Sequence, residues 1–116
     1  MQAIEQQLAV MGEQVLMTRI ASQIGCAQGL KPALETAAVA KQVASAAVPQ
    51  IAAIAHAVHG AIGITQEFDL ELYSRRMYAL RLAHGSESYW AGLLGKARLE
   101  KAGFSSVDFI RALRQP

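Results

Sequence analysis

The segment HAVHGAIGITQEFDL, residues 56–70, joins two helical patterns of different character. Before it, residues 32–58 are mostly small and apolar. After it, apolar residues recur at the spacing of one helix face: Leu70, Tyr73, Met77 and Leu80. Gly60 is predicted to follow the first helix, because glycine readily takes the left-handed conformation found just beyond many helices. The segment is therefore predicted to form a corner between two helices.

The rest of the chain also reads as helix. Helices are predicted over residues 2–24, 32–59, 70–83 and 87–101, followed by a short terminal helix. Pro32 is expected to be the first residue of the second helix, and Pro49 to bend that helix without dividing it. No stretch has the alternating pattern of a strand. We predict an all-α fold, an antiparallel bundle of three long helices with shorter carboxyl-terminal helices, because short connections make neighbours antiparallel.

Capping residues support the later helix boundaries. Asp69 and Ser86 are predicted N-caps for the third and fourth helices, since their side chains can accept hydrogen bonds from exposed backbone amides. A Ser-x-x-Asp pattern beginning at Ser105 is expected to open the terminal helix. Three apolar residues of that helix are predicted to face inward: Val107, Ile110 and Leu113.

Length and composition favour one domain with exposed apolar faces. The 116 residues are 53% hydrophobic and only 17% charged, below the roughly 25% of an average domain. Such a chain has more apolar surface than its own core needs, so we expect a homo-oligomer. Cys26, the only cysteine, excludes an intramolecular disulfide and favours a reducing, cytoplasmic location. No uninterrupted apolar run predicts a membrane span.

Charge is unevenly distributed along the chain. Residues 1–70 carry three Lys or Arg against five Asp or Glu, whereas residues 71–116 carry eight against four. The carboxyl-terminal part can therefore meet anionic ligands. We predict no nucleic-acid partner, because basic and aromatic residues do not interleave as they do in a strand-binding groove.

Two sequence segments resemble the C-terminal helical domain of the FAD-dependent acyl-CoA dehydrogenases. AHAVHGAIGITQEFDLELYSRRMYALRLAHGSESYW, residues 55–90, is similar to the family's Gln-x-His-Gly-Gly-x-Gly-like turn and its Leu-Tyr-x-Arg helix. QAIEQQLAVMGEQV, residues 2–15, is similar to the preceding helix. The resemblance covers most of the chain, to about Leu94, and its motifs keep their order and spacing.

This resemblance implies α,β-desaturation of an acyl-CoA substrate with FAD as cofactor, in a tetrameric enzyme. The family's amino-terminal helical domain and middle β domain are absent from residues 1–116, so we expect the isolated chain to be inactive. The alternative, from a different functional class, is a non-catalytic helical module that keeps the fold for oligomerisation only.

The resemblance also implies a catalytic position at His84. In many family members a glutamate in a Glu-Gly-Thr turn removes the α proton, and His84-Gly85-Ser86 occupies that place here. An imidazole can abstract a proton but becomes cationic, so it does not simply replace a carboxylate. Loss of the base at this position is favoured over a histidine base. A purely structural histidine at a helix end is the third possibility.

Four residues are implied at the flavin. Gly60, Ala61 and Gly63 match the glycine-rich turn that faces the FAD of a neighbouring subunit, although alanine replaces the second glycine. Backbone donation near the FAD phosphates is the contact we expect to survive there. Ser86 stands in the place of a threonine near the flavin. His56 and His59 share a helix face, but no third ligand accompanies them, so packing is favoured and no metal site is predicted.

Overall fold

Five helices account for most of the chain. The computed structural model describes residues 2–63, 67–101 and 103–113. Those residues form α1 (Gln2–Cys26), α2 (Leu34–Ala61), α3 (Glu67–Leu82), α4 (Glu87–Glu100) and α5 (Ser106–Leu113), and none of them lies in a strand. The predicted all-α class is confirmed.

Helix α2 lies at the centre of the bundle. It packs against α1, α3 and α4. The end of α1 meets the start of α2, and the end of α3 also lies beside the first half of α2, so α1 and α3 both run antiparallel to α2. The whole is elongated, 54 × 29 × 24 Å, with a radius of gyration of 16.8 Å. A compact domain of this length would have a radius of about 13 Å.

The α1–α2 crossing depends on a glycine. Gly25 is buried, and a Cβ atom placed on it would lie 2.6 Å from the Ala40 Cβ and 3.3 Å from the Thr36 carbonyl oxygen. Neither neighbour is the end of a flexible side chain, so a larger residue would push the helices apart. The absence of a side chain at Gly25 therefore sets how closely the two longest helices approach.

The buried residues of the bundle are mostly small. Those with an apolar side chain are Ala21, Ala38, Ala47, Val48, Ala52, Val58 and Phe109, and no large side chain among the described residues is fully buried. Conversely, many large apolar side chains are exposed, including Leu16 of α1 at 56% and Tyr73 of α3 at 72%. This distribution leaves apolar faces uncovered on a single chain.

Two predicted helix starts differ from the structure. Helix α2 begins at Leu34 with Ala33 as N-cap, so Pro32 precedes the helix instead of opening it. Asp69 lies inside α3, whose first residue is Glu67, and is not its N-cap. An acidic residue is also favourable within the first turn of a helix, near the positive end of the dipole, so the sequence does not distinguish the two positions.

The glycine corner is also shifted. Gly60 lies within the last turn of α2, and it is Gly63 that takes a left-handed φ of +72° beyond the helix end. Keeping one glycine inside a helix costs about 1 kcal/mol, which an added hydrogen-bonded turn can offset. The corner itself continues through residues 64–66, outside the described residues.

Two predicted caps and the continuity of the second helix are confirmed. Pro49 lies inside one continuous helix, whereas the predicted bend there stays a prediction. The Ser86 hydroxyl accepts a hydrogen bond from the Tyr89 amide at 3.4 Å. The Ser105 hydroxyl likewise accepts from the Asp108 amide at 3.1 Å.

Two of the three residues predicted on the inward face of α5 are exposed, and only Leu113 is half-buried. Phe109 is buried, whereas Val107 and Ile110 are 56% and 59% exposed. The aromatic ring buries more area than an aliphatic side chain, and Lys101 lies 5.6 Å from its centre. Apolar spacing within the short helix alone could not identify this preference.

Helix α2 has the length and apolar character of a membrane-spanning helix. It has 28 residues, and its most apolar stretch has a mean hydropathy of 1.3 with 33% of that stretch buried. Nevertheless α2 packs against three other helices, and the ammonium of Lys41, in the first third of α2, bonds to backbone carbonyls outside it. These are the contacts of a central core helix. The absence of a membrane partner remains a prediction.

The glycine crossing can be tested with two matched substitutions. Gly25→Ala should lower the free energy of unfolding by about 1–3 kcal/mol, because overpacking outweighs the better helix propensity of alanine. Gly12→Ala is the control, since a Cβ there meets nothing within 4 Å, and it should raise stability by up to about 1 kcal/mol. Urea unfolding followed by circular dichroism measures both. Equal effects of the two substitutions would contradict the close crossing.

Candidate functional site

A cleft of about 430 Å³ opens between α1, α2, α3 and the turn after α3. Its lining is mainly apolar, with Val48 and Ile51 from α2 and Met77 and Leu80 from α3. Such a volume lies within the usual range for small-molecule sites, which combine an apolar wall with a few polar groups. The polar groups here are Thr18, Lys41, Ser45, Arg81 and His84.

His84 lies at the polar end of this cleft. It is exposed and has a left-handed φ of +60°, the only positive φ of a residue other than glycine in the described part of the chain. A left-handed conformation costs such a residue about 1–2 kcal/mol. The structure therefore holds His84 in a conformation that its own backbone does not prefer, as is common at functional turns.

The turn is fixed by Gly85 and Trp90. Gly85 has a φ of +102°, and a Cβ on it would lie 2.8 Å from the indole nitrogen of Trp90. That nitrogen donates a hydrogen bond of 2.8 Å to the His84 carbonyl. Any side chain at position 85 would disturb this hydrogen bond. Trp90 thus positions the backbone of His84.

Opposite charges flank the turn. The Arg81 guanidinium donates to a Glu87 carboxylate oxygen at 2.6 Å, and the two side chains are 32% and 21% exposed. This hydrogen bond from Arg81 lowers the pKa of Glu87, and the backbone amide of Glu87 itself and the positive charge of Lys41 act in the same direction. The ion pair joins the last turn of α3 to the first turn of α4.

The glycine corner has a different geometry from the one that phosphate binding requires. The amide of Ile62 donates to the Val58 carbonyl at 3.1 Å, that of Gly63 donates to the Gly60 carbonyl at 3.3 Å, and Ala61 lies within α2. The end of α2 also carries the negative end of the helix dipole. The described residues of the corner therefore do not fit the role of donors to FAD phosphates. The two glycines do leave room for a ligand to approach the backbone closely, because a Cβ on Gly60 or Gly63 would meet nothing within 4 Å.

The structure separates the predicted site residues into two groups. His84 and Ser86 lie at the end of α3, whereas Gly60, Ala61 and Gly63 lie near its beginning. Sixteen helical residues correspond to about 24 Å along the axis. The Ser86 oxygen accepts the Tyr89 amide, which leaves its hydroxyl proton able to donate to a ligand, so Ser86 does fit a cofactor contact.

Both histidines of α2 have partners within the chain. The His59 Nδ1 bonds the Ala55 carbonyl at 2.7 Å, so it carries a proton. The His56 Nε2 lies 2.7 Å from the hydroxyl of Ser74, which is buried and also donates to the Leu70 carbonyl at 3.1 Å. With that single proton directed at Leu70, His56 is the donor. Among the described residues, no three metal-ligating side chains cluster.

Comparison with known protein families identifies the family of this domain. A family model described as acyl-CoA dehydrogenase, C-terminal domain, matches residues 1–99. The chain belongs to the acyl-CoA dehydrogenase C-terminal domain family. The match includes α1, α2, α3 and nearly all of α4, whereas α5 lies beyond it. The comparisons with curated proteins and with solved structures found no significant match.

Four polar residues of the cleft were not identified from the sequence: Thr18, Lys41, Ser45 and Arg81. Lys41 donates hydrogen bonds to the Arg81 and Gly85 carbonyls. The sequence feature that could have pointed to it is that it is the only Lys or Arg in α2. The Thr18 hydroxyl oxygen is buried without a hydrogen-bond partner among the described residues and lines the cleft. A threonine on an amphipathic helix is too common to stand out in the sequence of a family member.

The Arg81–Glu87 ion pair predicts how stability depends on pH. Because the folded state lowers the pKa of Glu87, its contribution is present above the unfolded value of about 4.3 and is lost as pH falls through the lower folded value. Glu87→Gln should therefore cost at most about 1 kcal/mol at pH 7 and reduce the loss of stability below about pH 5.

Urea unfolding at a series of pH values measures this effect. Glu71→Gln is the matched control, because Glu71 also pairs with an arginine, Arg75, but both side chains are more than half exposed, at 51% and 76%. Glu71→Gln should alter the loss of stability below about pH 5 less than Glu87→Gln does. If the free energy of unfolding of Glu87→Gln and of the parent chain fell equally with pH in that range, the prediction would be contradicted.

Proposed function

We propose that this chain supplies the C-terminal helical domain of an FAD-dependent acyl-CoA dehydrogenase. The observation that carries the proposal is the cleft itself: an apolar wall from α2 and α3 ends at His84, the position that resembles the family's catalytic glutamate. An apolar wall suits an acyl chain, and a group able to take a proton belongs at its polar end.

Desaturation removes the α hydrogen of the thioester as a proton and the β hydrogen as a hydride, and FAD supplies the hydride acceptor in this family. The groups of this chain that line the cleft include its apolar walls, which exclude water from an acyl chain, and His84. Ser86 follows two residues later in the same turn. The Ser86 hydroxyl offers one donor beside that turn.

His84 lacks the support that a catalytic base needs. Its side chain is exposed, and no described residue hydrogen-bonds its ring. A general base works best when a neighbouring group orients it and water is excluded. These features favour loss of the base at this position, with the base supplied from another helix or subunit. We therefore propose a variant domain that is inactive as an isolated chain and functions in a cytoplasmic enzyme with its partner domains.

The base position can be tested in a fusion. The chain would replace the C-terminal domain of an active acyl-CoA dehydrogenase, behind that enzyme's amino-terminal helical and middle β domains. We expect FAD to be retained in the fusion but not by the isolated chain, with little desaturation. His84→Glu should raise kcat by about tenfold or more, since a positioned base contributes about 10²–10⁴-fold.

Ser88→Glu in the same fusion is the matched control, because it adds a carboxylate at an exposed position of α4 four residues away. It should leave turnover unchanged. His84→Ala should also have little effect if His84 is not the base. A large loss of turnover in His84→Ala at full flavin content would instead show a histidine base, and a fusion without flavin would count against the family function.

The second candidate function is a non-catalytic helical module for oligomerisation. The observation that favours it is the set of large apolar side chains that one chain leaves exposed. Those of α1 are between 44% and 56% exposed: Leu8, Val15, Leu16, Met17 and Ile20. Burial of apolar area contributes about 25 cal/mol per Å², so several hundred Å² could offset the cost of association.

Self-association is expected under either function. Sedimentation equilibrium at micromolar concentration should give a mass above the 12.4 kDa of one chain. Leu16→Gln should weaken the association by about tenfold, whereas Glu13→Gln, an exposed polar control on the same helix, should change it little. A mass of one chain at all concentrations would contradict self-association.

A further inference from the structure

Lys41 is an unusual residue for the helix in which it lies. It is the only Lys or Arg of α2, whose sequence is otherwise largely small and apolar. Its side chain is half-buried and lines the cleft beside His84. A charged group in such a place needs hydrogen-bond partners to offset the loss of water.

The Lys41 ammonium has those partners. It donates to the Ser45 hydroxyl at 2.9 Å, the Arg81 carbonyl at 2.8 Å and the Gly85 carbonyl at 2.9 Å. An ammonium group has three donors and no acceptor, so these bonds use all of its protons. Lys41 therefore has none left for a ligand in the cleft. Its contacts are those of a group that holds other parts of the protein in place.

What it holds is the turn at the end of α3. The carbonyls of the last helical turn have no partner within the helix, and that end carries partial negative charge, so a cation is favourable there. The two backbone bonds of Lys41 fall on either side of His84, at Arg81 and Gly85. The indole of Trp90 holds the His84 carbonyl between them. Together these bonds can offset the strain of the left-handed conformation at His84.

We infer that Lys41 is a positioning residue, which sets the place of His84 and Ser86 relative to the cleft. The importance of that place for desaturation rests on the proposed function, whereas the tie between α2 and the turn does not. The inference differs from a general structural role in one respect: loss of the ammonium should loosen the turn much more than the rest of the bundle.

Trp90 provides a direct readout, because it is the only tryptophan and its indole N–H bonds the His84 carbonyl. In Lys41→Met, which keeps an unbranched stem but removes the ammonium, exchange of the indole proton with D₂O should accelerate by about tenfold or more. The exchange rates of backbone amides near the α1–α2 crossing should change less than threefold, which is roughly the scatter of single-site effects. Lys31→Met, an exposed lysine outside the cleft, is the control and should leave indole exchange unchanged.

A rescue experiment separates the effect of the Lys41 ammonium from that of its aliphatic chain. Lys41→Cys, in a Cys26→Ser background, can be alkylated in the unfolded state to carry either an aminoethyl group or a neutral carboxamidomethyl group, and then refolded. The aminoethyl product restores an ammonium at nearly the length of lysine. It should restore slow indole exchange, whereas the neutral product should not.

Four results would overturn the inference. In Lys41→Met they are indole exchange equal to that in Lys31→Met, an equal acceleration of all protected amides, and a failure to fold. The fourth is equal indole exchange in the two alkylated products. None of these measurements uses flavin or acyl-CoA. If the fusion fails but indole exchange accelerates in Lys41→Met, only the proposed function is rejected. If the fusion behaves as expected but indole exchange does not accelerate, only the role of Lys41 is rejected.

Discussion

A single ammonium group joins the central helix of this domain to the end of its cleft. The core contains few large side chains, so apolar packing alone offers little to fix the turn after α3. Lys41 supplies directional hydrogen bonds at a place where few large apolar side chains are buried. Those bonds are possible because α2 passes the end of α3 closely enough for one lysine to reach two carbonyls. The position of the turn thus follows from the way α2 packs against its neighbours.

The chain belongs to the acyl-CoA dehydrogenase C-terminal domain family, and the sequence resemblance predicts that His84 stands in the place of the family's catalytic glutamate. The backbone of the turn is well held, whereas the imidazole ring is not. A catalytic position usually combines a fixed backbone with a side chain that a neighbouring group orients, and here only the backbone is fixed. The scaffold that would present a base is kept, while the side chain itself lacks a partner to orient it.

Local chemistry could be read from the sequence, but contacts between distant residues could not. Ser86 and Ser105 were identified as caps because a cap depends on amides three residues away. Gly60 and Gly63 could each follow a helix, and only the observed length of α2 distinguishes them. The α5 face depends on which neighbours surround Phe109. The function of Lys41 was invisible in the sequence because its carbonyl partners lie 40 and 44 residues further along the chain.

The order of the helices also bears on how the domain folds. Helix α1 packs on the next helix along the chain, and so does α2 on α3, and such local pairings form quickly. The bond from Lys41 to Gly85 closes a loop of 44 residues, which must first lose the conformational freedom of a flexible chain. Formation of the cleft is therefore expected late, after the helical hairpins. A newly made chain would acquire its secondary structure and its α1–α2 crossing well before it acquires a place for a ligand.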